Sequence, residues 1–557
     1  MANGISTSLL AISLALSSTC TAASVKLSAP QMGWNSYNYY SCAINESIIA
    51  DNAKALVDTG LSKLGYQYVT PDCGWFSGLR DSDGALAWNL TRFPSGGQGL
   101  GDIIHGYGLK FGVYTDAGYW QCGSLNQFQG SLGFEKQDAT AFARWGADSL
   151  KYDNCYNTNT TVGADFYSEE SGSSQRFRTM GHALAEVDRD LVYQLCQWGV
   201  GHDLGSWASG IANSWRISVD IYNNWGSIWR ILNQVIPFAK LTTAGSYPDM
   251  DMLIVGLGVL SKEEEKMHFG LWSIFKSPLI LGNSIANPIS PDSLAVISNQ
   301  EVIAINQDPL GESAQLVRRS EKGYDIYAGK LSGGRMVLSV ANWLNSSQTV
   351  TFNISQVLGI QSASARNVWA YQDVGELRQT YQTELAGHEM QILVLSDIEY
   401  AQTVSLATSY HVASEAIISG NATVVQCALG QCLPAQSKVA SIGNGSANAA
   451  VTFTNIYSDT DGERVVGVDF INYDIAWESS WKKPQGTSSR NLTMSVNSGP
   501  LQQWSFPISG GNWFDSGRLV LDVDGFVKGV NNTLIVKAAD GGMSGMAPDL
   551  VGIELFG

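Results

Sequence analysis

Several large functional classes are excluded by what this chain has little of. Basic residues are scarce: 33 Lys and Arg stand against 50 Asp and Glu, a formal net charge of −17. A field of that sign repels nucleic acid and anionic membrane, so neither is an expected partner. Only six histidines occur, scattered, and no CxxC pair, so no metal is expected in a catalytic site. No Gly-rich phosphate loop follows the first predicted strand, which disfavours an open doubly wound sheet. Internal repeats and low-complexity linkers are missing. No stretch beyond the N-terminus approaches the ~18 apolar residues of a membrane span.

What is present points elsewhere. A chain of 557 residues, 44% hydrophobic, has material for two to four packed domains. Its 17 tryptophans tilt the reading mildly towards carbohydrate, because sugar C–H faces stack on indole rings. The short apolar run Leu9-Leu10-Ala11-Ile12-Ser13-Leu14-Ala15-Leu16, with small residues to Ala22-Ala23, reads as a signal peptide over residues 1–23 and predicts a secreted, extracellular protein. Candidate glycosylation sites at Asn45, Asn89, Asn159, Asn345, Asn353, Asn421, Asn444, Asn491 and Asn531 agree with that. Of eight cysteines, Cys20 falls in the leader, which leaves an odd number and so at least one free thiol.

Between residues 24 and 312, extended and amphipathic segments alternate. Strands are predicted at 32–36, 66–72, 110–116, 148–154, 191–198, 215–221, 241–245 and 278–283, with helices such as 47–61, 134–145, 175–187 and 263–275 between them. Eight strand–helix units over about 280 residues predict a (β/α)8 TIM barrel, whose active site lies at the strand C-termini. Those ends carry Trp34, Asp72, Asp116, Asp153, Gln197 with Trp198, Asp220, and Asp249 with Asp251. A ring of carboxylates and indoles suits a polar, uncharged ligand such as a sugar. Residues 313–397 read as an antiparallel β domain, and 398–557 as a β-sandwich.

Glycosidic cleavage needs two carboxyl groups about the scissile bond. Asp153 and Asp220 are the best pair. Asp153 shares a strand face with Lys151, whose ammonium favours the ionised, attacking form. By the same period of two, Arg216, Ser218 and Asp220 share a face, with Arg216 able to position sugar or nucleophile. Asp249 reads equally well as a cap or a substrate contact, Asp116 and Tyr119 as loop-shaping residues, Cys196 as a small buried residue and Met252 as packing beneath the site.

The motifs Met32-Gly33-Trp34-Asn35-Ser36, Asp72-Cys73, Lys110-Phe111-Gly112-Val113-Tyr114, Lys151-Tyr152-Asp153-Asn154-Cys155, Arg216-xxx-Asp220 and Asp249-Met250-Asp251-Met252 resemble, in order, those of glycoside hydrolase family 27. The resemblance implies a retaining double displacement with Asp153 as nucleophile and Asp220 as acid/base. It places Trp34, Asp72, Tyr114, Lys151, Gln197, Trp198, Arg216 and Asp251 about a galactose subsite, and implies disulfides Cys42–Cys73 and Cys122–Cys155, with Cys196 free and facing the pocket. No cofactor is implied for catalysis. Where the family often has two adjacent aspartates after the second strand, this chain has Pro71-Asp72, which touches recognition of the sugar's O4 and O6 edge. The bulky Trp198 would crowd a 2-acetamido group.

The last region resembles, less specifically, a family 35 carbohydrate-binding module, a type that often binds structural calcium. There Trp477, Trp481, Trp504 and Trp513 are candidates for a stacking platform, and Cys427 and Cys432 for a short loop closure. The resulting expectation is an exo-acting α-galactosidase on oligo- or polysaccharide substrates. β-L-Arabinopyranosidase and α-N-acetylgalactosaminidase are the alternatives on the same scaffold, and a catalytically inactive galactose-binding lectin is the reading from another class.

Overall fold

The structure, a computed structural model, describes residues 25–124, 127–157, 173–199, 204–287, 289–401, 409–427, 431–443, 448–474, 489–510, 513–539 and 545–555. The expected leader, Asn159, Asn444, Trp477 and Trp481 lie outside the described residues.

Short, apolar strands pair in parallel and curl into a barrel: β1 (Met32–Asn35), β2 (Tyr68–Thr70), β3 (Lys110–Asp116), β4 (Ser149–Asp153), β5 (Val192–Leu195), β6 (Ser214–Arg216), β7 (Tyr247–Asp249) and β8 (Leu279–Leu281). Strands covered on both faces read as buried runs, and β3 is buried from Phe111 onward. β8 pairs with β1, and a parallel bridge between Leu253 and Leu281 joins the β7 side to β8. Glycine is required where strands crowd inside: a Cβ on Gly33 would lie 2.2 Å from the Tyr68 carbonyl oxygen, and one on Gly112 2.1 Å from Thr70 Oγ1.

Around the barrel run α1 (Glu46–Asp58), α2 (Gly96–Gly106), α3 (Glu135–Arg144), α4 (Ser173–Ala185), α5 (Trp225–Val235) and α6 (Lys262–Ile274). Two strand expectations need correction. The strand expected over 215–221 stops at Arg216, so Ser218 and Asp220 lie in the loop that follows it rather than on a strand face. Segment 241–245 is not a strand: Leu241 ends a 3-10 helix, and Thr243 and Ser246 pair around Gly245 at φ 95°. The strand comes later, where Pro248 hides it from a propensity reading; a proline is tolerated there because β7 borders the seam closed by one bridge. Helix α2, rich in glycine, carried no helical expectation. Its glycines are needed for close approach, since Cβ atoms on Gly97 and Gly101 would meet Trp145 at 2.7 Å and its carbonyl oxygen at 2.6 Å.

Beyond the barrel, one sheet crosses both β regions. Strands from Gln315–Ser320 to Met390–Tyr400 pair antiparallel, and Ser320 then pairs in parallel with Val520, joining them to Gly517–Phe526, Gly462–Ile471 and Asp549–Leu555. A five-stranded sheet packs on the C-terminal part around its own core, which includes Phe453, Val468, Leu492 and Leu534. Trp504 packs against that core, and the Trp513 ring faces the Arg490 guanidinium at 4.5 Å. Both indoles are thus engaged in packing. No helix among the described residues is long and apolar enough to cross a membrane.

Helix α6 supports the barrel floor of the site. A Ser261–Glu264 capping box starts it, and its buried face carries His268 and Trp272, whose rings meet edge-on at 4.1 Å. The Trp272 indole donates to the Asp251 carbonyl at 2.7 Å. His268 Nε2 accepts the Ile254 N–H at 2.9 Å, so the ring is neutral, and burial pushes its pKa down from 6.5 to about 3. The unfolded chain takes up a proton below pH 6.5 that the folded chain refuses until about pH 3. Stability contributed by this neutral histidine is therefore complete above pH 6.5 and lost as pH falls through that window, with a slope up to ~1.4 kcal/mol per pH unit. Urea unfolding of wild type and His268→Gln between pH 7 and pH 4 should show the wild type losing more stability on acidification.

Candidate active site

The strand ends bring charges of both signs into one mouth. Side-chain parity on β4 aims Ser149, Lys151 and Asp153 inward. Lys151 Nζ lies 2.7 Å from Asp72 and 4.0 Å from Asp153. Asp72, after β2, also accepts from Asn35 Nδ2 at 2.8 Å. Burial alone would lower the Lys151 ammonium, but Asp72 and Asp153 hold it well above its ordinary pKa, so it stays charged. Asp153 is nearly buried and accepts from Tyr114 Oη at 3.2 Å, Trp198 Nε1 at 3.0 Å and the Asn154 N–H at 3.0 Å.

On the opposite side Arg216 is the hub. Its Nη2 reaches Asp251 at 2.7 Å and Asp220 at 2.8 Å, and its Nη1 lies 3.5 Å from Cys196 Sγ. Asp251 also accepts the Ile221 N–H at 2.6 Å, which holds the loop after β6. Its φ of 79° is strained for a non-glycine residue, and its N–H donates to Asp249 at 2.8 Å. Burial pushes the Asp251 carboxyl up to about 6, against the pull of Arg216. The Asp220 side chain keeps 54% of its surface. Crowding tends to raise its pKa, yet Arg216, then Lys151, outweigh that and hold it below the carboxylate range. Asp153 moves the other way: burial raises it and Lys151 only partly compensates.

A small cavity lies between Lys151 and Arg216, lined also by Asn35, Cys196, Asp251 and Met252 but not by Asp153 or Asp220. Of the expected site residues Lys151, Arg216 and Asp251 line it, and Asp72, Tyr114, Asp153, Trp198 and Asp220 are linked to one another or to these by the contacts above. Trp34 and Gln197 are placed differently, being fully buried. The Trp34 indole donates to the Asn283 carbonyl at 2.6 Å, and the Gln197 carbonyl accepts from Asn154 Nδ2 at 3.2 Å. The structure contains the disulfides Cys42–Cys73, Cys122–Cys155 and Cys427–Cys432, and Cys196 is free and buried. Asp116 clusters with Cys122 and Cys155, but those sulfurs are bonded to each other, so the group offers no cation site.

Two residues escaped the sequence reading. Asn35 orients Asp72, and Arg230 of α5 donates to the Asp220 and Val219 carbonyls at 2.9 and 3.3 Å, holding the Asp220 loop from behind. A signal for Arg230 exists: it interrupts the apolar face of Ile228, Ile231 and Leu232, where an unpaired cation would be costly.

A barrel whose mouth gathers paired carboxylates, cations and an indole has the groups that glycosidic cleavage requires. Residues 29–308 match the family model described as alpha galactosidase A, and residues 321–395 that of the alpha galactosidase C-terminal beta sandwich domain. Alpha-galactosidase D of Emericella nidulans is 36% identical, over 95% of each chain. The crystal structure of alpha-galactosidase I from Mortierella vinacea aligns at 33% identity and TM-score 0.63, over 68% of this chain and 99% of that one. The Saccharomyces cerevisiae alpha-galactosidase solved with raffinose aligns at 27% identity and TM-score 0.60, over 66% and 98%. The chain belongs to the α-galactosidase family, glycoside hydrolase family 27.

The double ion pair of Arg216 makes one variant diagnostic. Arg216→Met should cost about 3–5 kcal/mol in urea unfolding, because Asp251 is left buried and unpaired. Adding Asp251→Asn should recover part of that loss.

Proposed function

We propose that this α-galactosidase-family hydrolase removes terminal, non-reducing α-D-galactosyl residues with retention, through a covalent intermediate on Asp153. Asp153 attacks the anomeric carbon while Asp220 protonates the departing glycosidic oxygen; Asp220 then takes a proton from water, which attacks the same carbon and frees Asp153. The observation that carries this reading is the contrast between the two carboxylates. Asp153 is fixed by two side-chain donors beside Lys151, as an attacking group must be. Asp220 is half-exposed on the solvent side, where a leaving group and water can reach it.

In the ligand-free site burial raises Asp153, whereas Arg216 and Lys151 lower Asp220. Double displacement needs the reverse. A leaving-group oxygen docking on Asp220 would compete with the 2.8 Å contact to Arg216, raising Asp220 so that it takes up the proton it must deliver. The basic limb of kcat/KM, which reports the free enzyme, should thus lie at lower pH than the basic limb of kcat. Coincident limbs would contradict that proton transfer.

Pro71 favours a second reading at the sugar edge. It is buried beside Asp72 and supplies no carboxylate towards a C6 hydroxymethyl group, so a β-L-arabinopyranoside, which lacks that group, is the competing substrate. Rates on p-nitrophenyl α-galactoside, α-N-acetylgalactosaminide and β-L-arabinopyranoside decide between them. Preference for the galactoside is expected, and Asp153→Ala should lower that activity by ~10⁴-fold or more. Activity unchanged in Asp153→Ala would remove the mechanism.

Secretion into the extracellular space is part of the same reading. It is supported by the leader pattern, three disulfides and the exposed sequon residues Asn45, Asn345, Asn421 and Asn531. A structural calcium ion and sugar binding in the C-terminal region rest on the module resemblance alone.

A further inference from the structure

Arg176 is a buried cation that the chemistry above does not use. It projects from α4, is 7% exposed, and its two terminal nitrogens act on two different loops of the mouth. Nη1 donates to the Ala117 carbonyl after β3 at 2.8 Å, and Nη2 to Asn154 Oδ1 after β4 at 2.7 Å. Asn154 passes the link on, its Nδ2 donating to the Gln197 carbonyl after β5 at 3.2 Å. The three loops so joined are those that hold Asp153. The Ala117 N–H donates to the Asp153 carbonyl at 2.8 Å, the Asn154 N–H to its Oδ1 at 3.0 Å, and the indole of Trp198, next to Gln197, to the same Oδ1 at 3.0 Å.

Trp198 makes that contact at φ 69°, a strained conformation for a tryptophan that persists only where neighbours impose it. The Asn154–Gln197 bond on one side, and the Gly199 N–H on the Arg216 carbonyl at 3.1 Å on the other, are such neighbours. A second buried carboxyl lies in the same block. Asp116 stands opposite Asp153 in the β3–β4 register and accepts the Gly118 and Cys155 N–H groups at 2.8 and 3.2 Å. Burial, then Asp153, pushes the Asp116 carboxyl well up, and Arg176 pulls it back.

We propose that Arg176, acting through Asn154, is a positioning residue for the nucleophile: it locks three loops into one block that aims the Asp153 carboxylate and the indole donating to it. This rests on the assignment of Asp153 as nucleophile. A guanidinium suits the task because its planar fork reaches two acceptors at fixed spacing, which a lysine cannot do.

The test uses Arg176→Ala, Arg176→Lys, Asn154→Ala and the double variant Arg176→Ala/Asn154→Ala of the full chain, with active sites counted by covalent labelling with a 5-fluoro-galactosyl fluoride. Per labelled site, kcat on p-nitrophenyl α-galactoside should fall roughly 10- to 100-fold in Arg176→Ala, with KM changed by less than about 3-fold. Added guanidinium should restore part of the rate, and Arg176→Lys should not recover wild-type turnover. The double variant should be no slower than the slower single variant, because both break one chain of contacts. Wild-type kcat per labelled site in Arg176→Ala, with losses confined to yield or melting temperature, would overturn the proposal, as would additive effects. If Arg176→Ala does not fold, Arg176→Lys and Asn154→Ala carry the same comparison. Asp153→Asn, measured alongside, separates the two ideas: a variant that still turns over removes the nucleophile assignment, whereas a dead Asp153→Asn beside a normal Arg176→Ala removes only the role of Arg176.

Discussion

The site depends on an excess of carboxylates gathered around too few cations. Asp72, Asp153, Asp220, Asp249 and Asp251 crowd one barrel mouth against Lys151 and Arg216. Removing that many charges from water is affordable only if each is paired or hydrogen-bonded, and the pairing is divided by role. Lys151 holds Asp72 at contact distance and Asp153 at arm's length, while Arg216 forks between Asp251 and Asp220. One carboxylate of the proposed reacting pair, Asp153, is thereby fixed beside a cation, and the other, Asp220, is tethered at the exposed side of the mouth.

The surrounding fold keeps these groups in register. Two disulfides pin loops at the mouth, Arg230 holds the Asp220 loop from α5, and Trp272 anchors Asp251 from α6. Helix α5 is itself clamped by the β domain: Trp225 stacks on His388 at 4.5 Å, Trp229 meets Trp343 at 4.4 Å, and Arg319, paired with Asp325, donates to Asn233. The antiparallel domain thus acts on the site through the helix behind the Asp220 loop. The sheet shared through Ser320 and Val520 carries that support into the C-terminal region.

Much of this was legible in the sequence because barrel strands are short, buried on both faces and followed by amphipathic helices. The strand ending at Asp153 was recognisable by alternation, which also placed Lys151 beside Asp153, whereas the strand expected over 215–221 stops at Arg216 and leaves Asp220 in a loop. Legibility failed where a local signal conflicts with a tertiary need. The Tyr247–Asp249 strand contains a proline tolerated at the seam, and the Gly96–Gly106 helix contains glycines required against Trp145. Trp34 was legible as a strand-end residue, but its burial and its bond to Asn283, 249 positions away, were not.

By itself, then, the sequence determined the chemistry available: one carboxylate at the end of the fourth strand and another in the loop after the sixth, a cation two residues before the first and four before the second, and a proline where another carboxylate was expected. Strand periodicity is local, so those relations need no folded partner to be read. Only the tertiary structure decided how the charges are shared. That Arg216 divides itself between Asp220 and Asp251, that Trp198 turns into a left-handed conformation to donate to Asp153, and that Arg176 reaches two loops and, through Asn154, a third all require segments tens of residues apart to meet. Electrostatic energy depends on distance through space and on burial, neither of which is written in the order of residues along the chain.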